Sequence, residues 1–64
     1  MRITKVQIGA TYAVRIGYHN NYKAIRIDGT HPDGGWVGTN ISTGRTVHIR
    51  SLEKLCWLVE PAPN

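Results

Sequence analysis

The chain has 64 residues, with eight Lys or Arg against four Asp or Glu and a net charge of +4 when the histidines are neutral. A chain of this length supports one domain with a small core, burying about 60% of the surface its unfolded form exposes. Cys56 is the only cysteine, which excludes an intramolecular disulfide framework, and no stretch approaches the roughly 20 apolar residues that cross a bilayer.

The opening MRITKVQI carries Arg2 and Lys5 with no apolar stretch behind them. No secretory leader is read there, and a reducing, cytoplasmic setting is expected. From Val6 the even positions are all apolar: Val6, Ile8, Ala10, Tyr12, Val14 and Ile16. This period of two predicts a strand over 6–16 with one face buried, and Gly9 marks a bend or bulge within it. Gly17 to Asn21 (GYHNN) predicts a turn. In the following YKAIRID, Lys23, Ile25 and Ile27 share one face while Ala24, Arg26 and Asp28 share the other. Lys23 is expected at the strand end, where its charge reaches water.

Asp28 to Gly35 (DGTHPDGG) reads as a loop, with one proline and three glycines. Trp36 to Ile41 is a third strand, and Ser42-Thr43-Gly44 is a hairpin turn with Gly44 left-handed. Arg45 to Arg50 returns as a fourth strand, with Val47 and Ile49 inward and Thr46, His48 and Arg50 outward. Ser51 caps a helical turn over Leu52, Glu53, Lys54 and Leu55, with the acidic Glu53 well placed near its start. Cys56 to Val59 is a short last strand. Pro61 and Pro63 mark a tail over 61–64, which leaves 1–60 as a single domain.

The expected fold class is therefore all-β: a small five-stranded barrel with one short helical turn before the last strand. Closure would remove the unpaired edges that a lone meander exposes. Two stretches, VQIGATYAVRI and GRTVHIRSLEKLCWLV, carry a resemblance in order of elements to Src-homology-3-like barrels of the Tudor and KOW types. Members of that family bind nucleic acids, proline-rich peptides or methylated side chains. The resemblance thus implies a binding module and leaves the ligand open; an enzyme is not expected, because neither a deep pocket nor a catalytic set fits easily into 64 residues.

In this strand register Arg15, Arg26, His48 and Arg50 project away from the core, and Lys23 and Arg45 add charge. Guanidinium groups hold phosphates bidentately and stack on bases, so a basic sheet face directed at nucleic acid, DNA or RNA, is the first expectation. An ordinary solvated face accounts for the same charges, and a one-residue slip would turn the cations inward. Tyr18, Tyr22 and Trp36 flank the long loops, where aromatics stack bases or box a cation. Core coverage is the other reading of Tyr22 and Trp36, while Tyr12 and Trp57 are assigned to the core.

His19, His31, His48 and Cys56 include no pair at metal-ligand spacing, so no metal is expected. Cys56 in an apolar strand reads as inert packing, and the acids at 28, 33, 53 and 60 share no setting for acid–base work. HPDGG lacks the lysine and hydroxyl of a phosphate-binding loop, and no cofactor fingerprint occurs. The Asn40-Ile41-Ser42 sequon has no meaning without a leader. The alternative to nucleic acid is a protein partner. The chain would then be an interaction module or a small assembly or regulatory subunit, such as a bacterial or phage accessory protein, with exposed aromatics as anchors. Self-association through the apolar WLV segment is a further expectation.

Overall fold

The computed structural model describes residues 5–16 and 21–63. Five strands follow in order: β1 (Thr11–Arg15), β2 (Tyr22–Thr30), β3 (Trp36–Asn40), β4 (Thr46–Ile49) and β5 (Leu55–Glu60). A single 3-10 turn, Leu52–Lys54, precedes β5. The strands form one antiparallel sheet in the order β4-β3-β2-β1-β5. The all-β expectation holds. Closure does not follow: among the described residues no ladder joins β4 to β5, so both remain sheet edges.

Alternation along the strands builds the core. Tyr12 and Val14 from β1, Ile25 and Ile27 from β2, Ile49 from β4 and Leu55 from β5 are buried together with Ala10, and Trp36, Val47 and Leu52 pack against them. Branched and aromatic side chains suit such a half-buried pleated surface. The register places Ile27 opposite Gly38 and Ile25 opposite Asn40. A side chain at Gly38 would meet the Arg26 carbonyl oxygen at 2.5 Å and Ile25 at 2.7 Å, so the glycine lets β3 pass close to β2.

The first strand is shorter than its alternation predicts. Gly9 takes φ +94°, its N–H donates to the Ile27 carbonyl at 2.7 Å, and Ala10 N–H donates to Gln7 at 3.2 Å. The chain therefore turns before Ala10, and Ile8, which continues the apolar period, is half exposed. Val6 packs on the core from the far side of that turn. In the other direction β2 outruns its expected end by two residues. A register shift between Ile27 and Gly29 absorbs Asp28 and lets pairing continue to Thr30 opposite Trp36. The loop contracts to 31–35.

Gly44 is left-handed at φ +77°, as the hairpin requires. Ser51 caps the 3-10 turn, its Oγ accepting from Glu53 N–H at 3.3 Å.

Trp57 corrects the assignment to the core. It lies opposite Ala13, on the outer face of β5, and half of its surface is exposed. An edge strand has a neighbour on one side only, and the neighbour here is an alanine. Tyr12, on the inner face of a central strand, is 3% exposed.

Candidate functional site

The sheet coils so that the end of β1 comes beside the end of β4. Between them lies a cleft of about 260 Å³ with an aliphatic floor of Val14, Ile16, Val47 and Ile49. Arg15, His48, Arg50 and Lys54 complete its lining, and among the described residues no carboxylate does. Each cation arrives from a different local cause. Arg15 is the last residue of β1, and Arg50 follows β4 directly. Lys54 closes the 3-10 turn that links Arg50 to β5. All three are exposed. The arrangement offers separate positive groups around an apolar trough, which suits a ligand with anionic groups and flat apolar parts.

The 31–35 loop borders the cleft through His48. The rings of His31 and His48 stack with centroids 3.7 Å apart and planes 15° from parallel. His48 Nε2 donates to the Gly34 carbonyl at 2.9 Å, and His31 Nδ1 accepts from Asp33 N–H at 3.0 Å. Since a carbonyl only accepts, His48 carries its proton on Nε2 and His31 is unprotonated at Nδ1. His31, Asp33, Gly34, Gly35, His48 and Arg50 line a second, larger hollow of about 500 Å³. His48 and Arg50 belong to both, so the two hollows form one continuous surface.

The remaining expected cations lie elsewhere. Arg26 projects from the outer face of β2, where its Nε donates to Asp28 Oδ1 at 3.1 Å. Asp28 also accepts from Thr39 Oγ1 at 2.6 Å. The Thr39 hydroxyl and then the Arg26 guanidinium hold the Asp28 carboxyl below its ordinary value. A depressed carboxyl pKa stabilises the fold above the unfolded value of 3.8, and that contribution is lost as pH falls through the folded value. Thr39→Val is expected to move the Asp28 titration back up toward 3.8, as followed by side-chain carboxyl NMR; an unmoved titration would assign the shift to Arg26 alone.

Arg45 directly precedes β4, five residues from Arg50 and about 16 Å away along an extended chain. Lys23 is exposed at its strand end as expected, opposite Val14 on the face of Ile25 and Ile27. Of the six expected cations, the cleft therefore gathers Arg15, His48 and Arg50.

Among the aromatics, Trp36 packs against the core and Tyr18 lies outside the described residues. Tyr22 is exposed and pairs with Trp57 at a centroid distance of 5.0 Å and a tilt of 51°.

Lys54 escapes the sequence reading as a site residue, and Trp57 enters it only as core and as part of the WLV edge. Lys54 was legible as the basic end of the capped turn, but its approach to Arg15 depends on the coiling of the whole sheet. For Trp57 the available signal was position, since a residue in the last strand of an open sheet has one free flank. Neither a protein-family model, nor a curated protein, nor a solved structure matches this chain.

Proposed function

We propose that this domain is a non-enzymatic module that binds nucleic acid through the cleft between β1 and β4. Arg15, Arg50 and Lys54 contact phosphates, with His48 at the junction with the 31–35 loop. The observation that carries the reading is the gathering of these four side chains around one aliphatic floor, with no carboxylate among the described residues of the lining. The net charge of +4 favours approach of a polyanion over the whole surface. The order of elements, with a 3-10 turn before the last strand, also supports the likeness to Src-homology-3-like modules. On this reading Arg26 is a structural cation, committed to Asp28.

A second reading, association with a protein or with another copy, draws on one observation. Trp57, Leu58 and Val59 are each about half exposed along the edge strand β5. Charge favours the first reading, because the cationic cleft has no part in an apolar edge contact.

The test is an NMR titration of the labelled protein with short mixed-sequence DNA and RNA at about 50 mM salt, where phosphate contacts are strongest. Amide shifts are expected over 14–16, 47–50 and 54, with Arg26 and Arg45 unmoved. Shifts centred on Arg26 and Arg45, or none for either nucleic acid, would overturn the proposal.

A further inference from the structure

The Tyr22–Trp57 pair is not used by the phosphate cleft, yet it adjoins it. Trp57 lies opposite Ala13 on β1, and Tyr22 lies opposite Arg15. Ala13 and Arg15 are two residues apart on one strand, so the indole and the first cation of the cleft are separated by about 7 Å of chain. Both rings are close to half exposed, Trp57 at 51% and Tyr22 at 42%. Ala13 points to the same outer face but is only 3% exposed, which is consistent with the two rings closing over it. The pair thus forms a ledge of two aromatic rings whose outer surfaces face solvent. Arg15 stands where ledge and cleft meet.

An exposed aromatic ledge alone would fit many partners. Its continuity with a cationic cleft narrows the chemistry to a ligand that alternates flat rings with anionic groups. In a duplex the faces of the bases are covered by their neighbours, and a ledge on a convex sheet cannot reach between them. A single strand presents both an open base face and flanking phosphates. We infer that the preferred ligand is single-stranded nucleic acid, with one base stacked on Trp57 against Tyr22 and a neighbouring phosphate held by Arg15 at the mouth of the cleft. This rests on the phosphate-binding reading of the cleft and adds to it the strandedness of the ligand and a base-stacking residue.

The two tryptophans make the test internal to one sample, because Trp36 packs against the core and serves as reference. The indole N–H signals of the labelled protein are followed while a mixed-sequence eight-nucleotide single strand, or the same sequence as a duplex, is added. The expected result is a shift of the Trp57 signal with the single strand, at most a small one with the duplex, and little change at Trp36. Trp57→Ala is expected to weaken single-strand affinity about tenfold or more while duplex affinity changes less than about twofold. Trp57→Phe keeps a stacking face and is expected to recover part of the loss.

Shifts confined to the cleft amides with a still Trp57 signal would overturn the stacking inference and leave phosphate binding in place. No shift anywhere would overturn both. Movement of the Trp57 signal on raising protein concentration without nucleic acid would assign the ledge to self-association and overturn the inference.

Discussion

Gly35→Ala is expected to cost about 3 kcal/mol or more and to remove most of the cooperative unfolding transition. Two separate penalties meet at this residue. Its φ of +76° lies in the left-handed region, where a Cβ costs roughly 1–2 kcal/mol. The new Cβ would also collide with the Ile49 carbonyl oxygen and approach the Arg50 Cα at 3.0 Å. These are backbone atoms at the end of β4 and cannot rotate away. A domain of this size has a total stability on the order of 5 kcal/mol, so the loss is a large fraction of the whole.

Gly44 provides the contrast. It has nearly the same φ, +77°, but open space where a Cβ would stand. Gly44→Ala should therefore show the conformational penalty alone, roughly 1–2 kcal/mol. Urea unfolding of both variants checks the prediction; equal losses would mean that the close approach of the 31–35 loop to β4 is not what Gly35 provides.

The same contact matters for the cleft. Gly34 and Gly35 lay the loop against β4, where Gly34 accepts from His48 and Gly35 abuts the backbone of Ile49 and Arg50. Two of the four polar lining residues are thus set by a glycine pair that contributes no chemistry of its own.

The second large effect is on binding. Removing Arg15, Arg50 and Lys54 together, as R15A/R50A/K54A, is expected to weaken nucleic-acid affinity about a hundredfold at low salt, taking roughly 1 kcal/mol for each exposed charge-assisted phosphate contact. All three side chains are exposed, so the fold should be retained. R26A/R45A removes two charges from elsewhere on the surface and is expected to weaken affinity less than about threefold. Fluorescence anisotropy with a labelled oligonucleotide compares them. Equal losses in the two variants would mean that net charge, rather than the cleft, governs association.

Much of the fold was legible in local pattern. The inward set Tyr12, Val14, Ile25, Ile27, Val47 and Ile49 follows from period two, and the left-handed Gly44 and the Ser51 cap follow from turn and capping chemistry. The period failed at Ile8 and Ile16, because apolar alternation does not say where a strand stops. Gly9 ended β1 at one side, and both isoleucines are exposed. The third strand was placed within a residue, but Gly29 and Thr30 were read as loop although a register shift past Asp28 carries β2 on through them.

The site was less legible than the fold. Outward alternation correctly separated Arg26 from the core but could not reveal that Asp28, two residues on, takes up its charge. Grouping Arg15 with Arg50 needs the coil of the sheet, which brings together strands that are three places apart in its order. Trp57 came out on the surface for the same reason, while Trp36 took the core coverage that was one of its two readings. The outer flank of an edge strand is a property of topology, and residue type alone carries no trace of it.

The most direct measurement is the salt dependence of affinity of the wild-type chain for a short single-stranded oligonucleotide between about 50 and 200 mM salt. Three phosphate contacts, at Arg15, Arg50 and Lys54, predict a slope of log affinity against log salt of about −2, a loss of about twentyfold over that range. In R15A/R50A/K54A the slope should fall close to zero. A wild-type slope near zero, or one that the triple substitution leaves unchanged, would contradict binding of nucleic acid through this cleft.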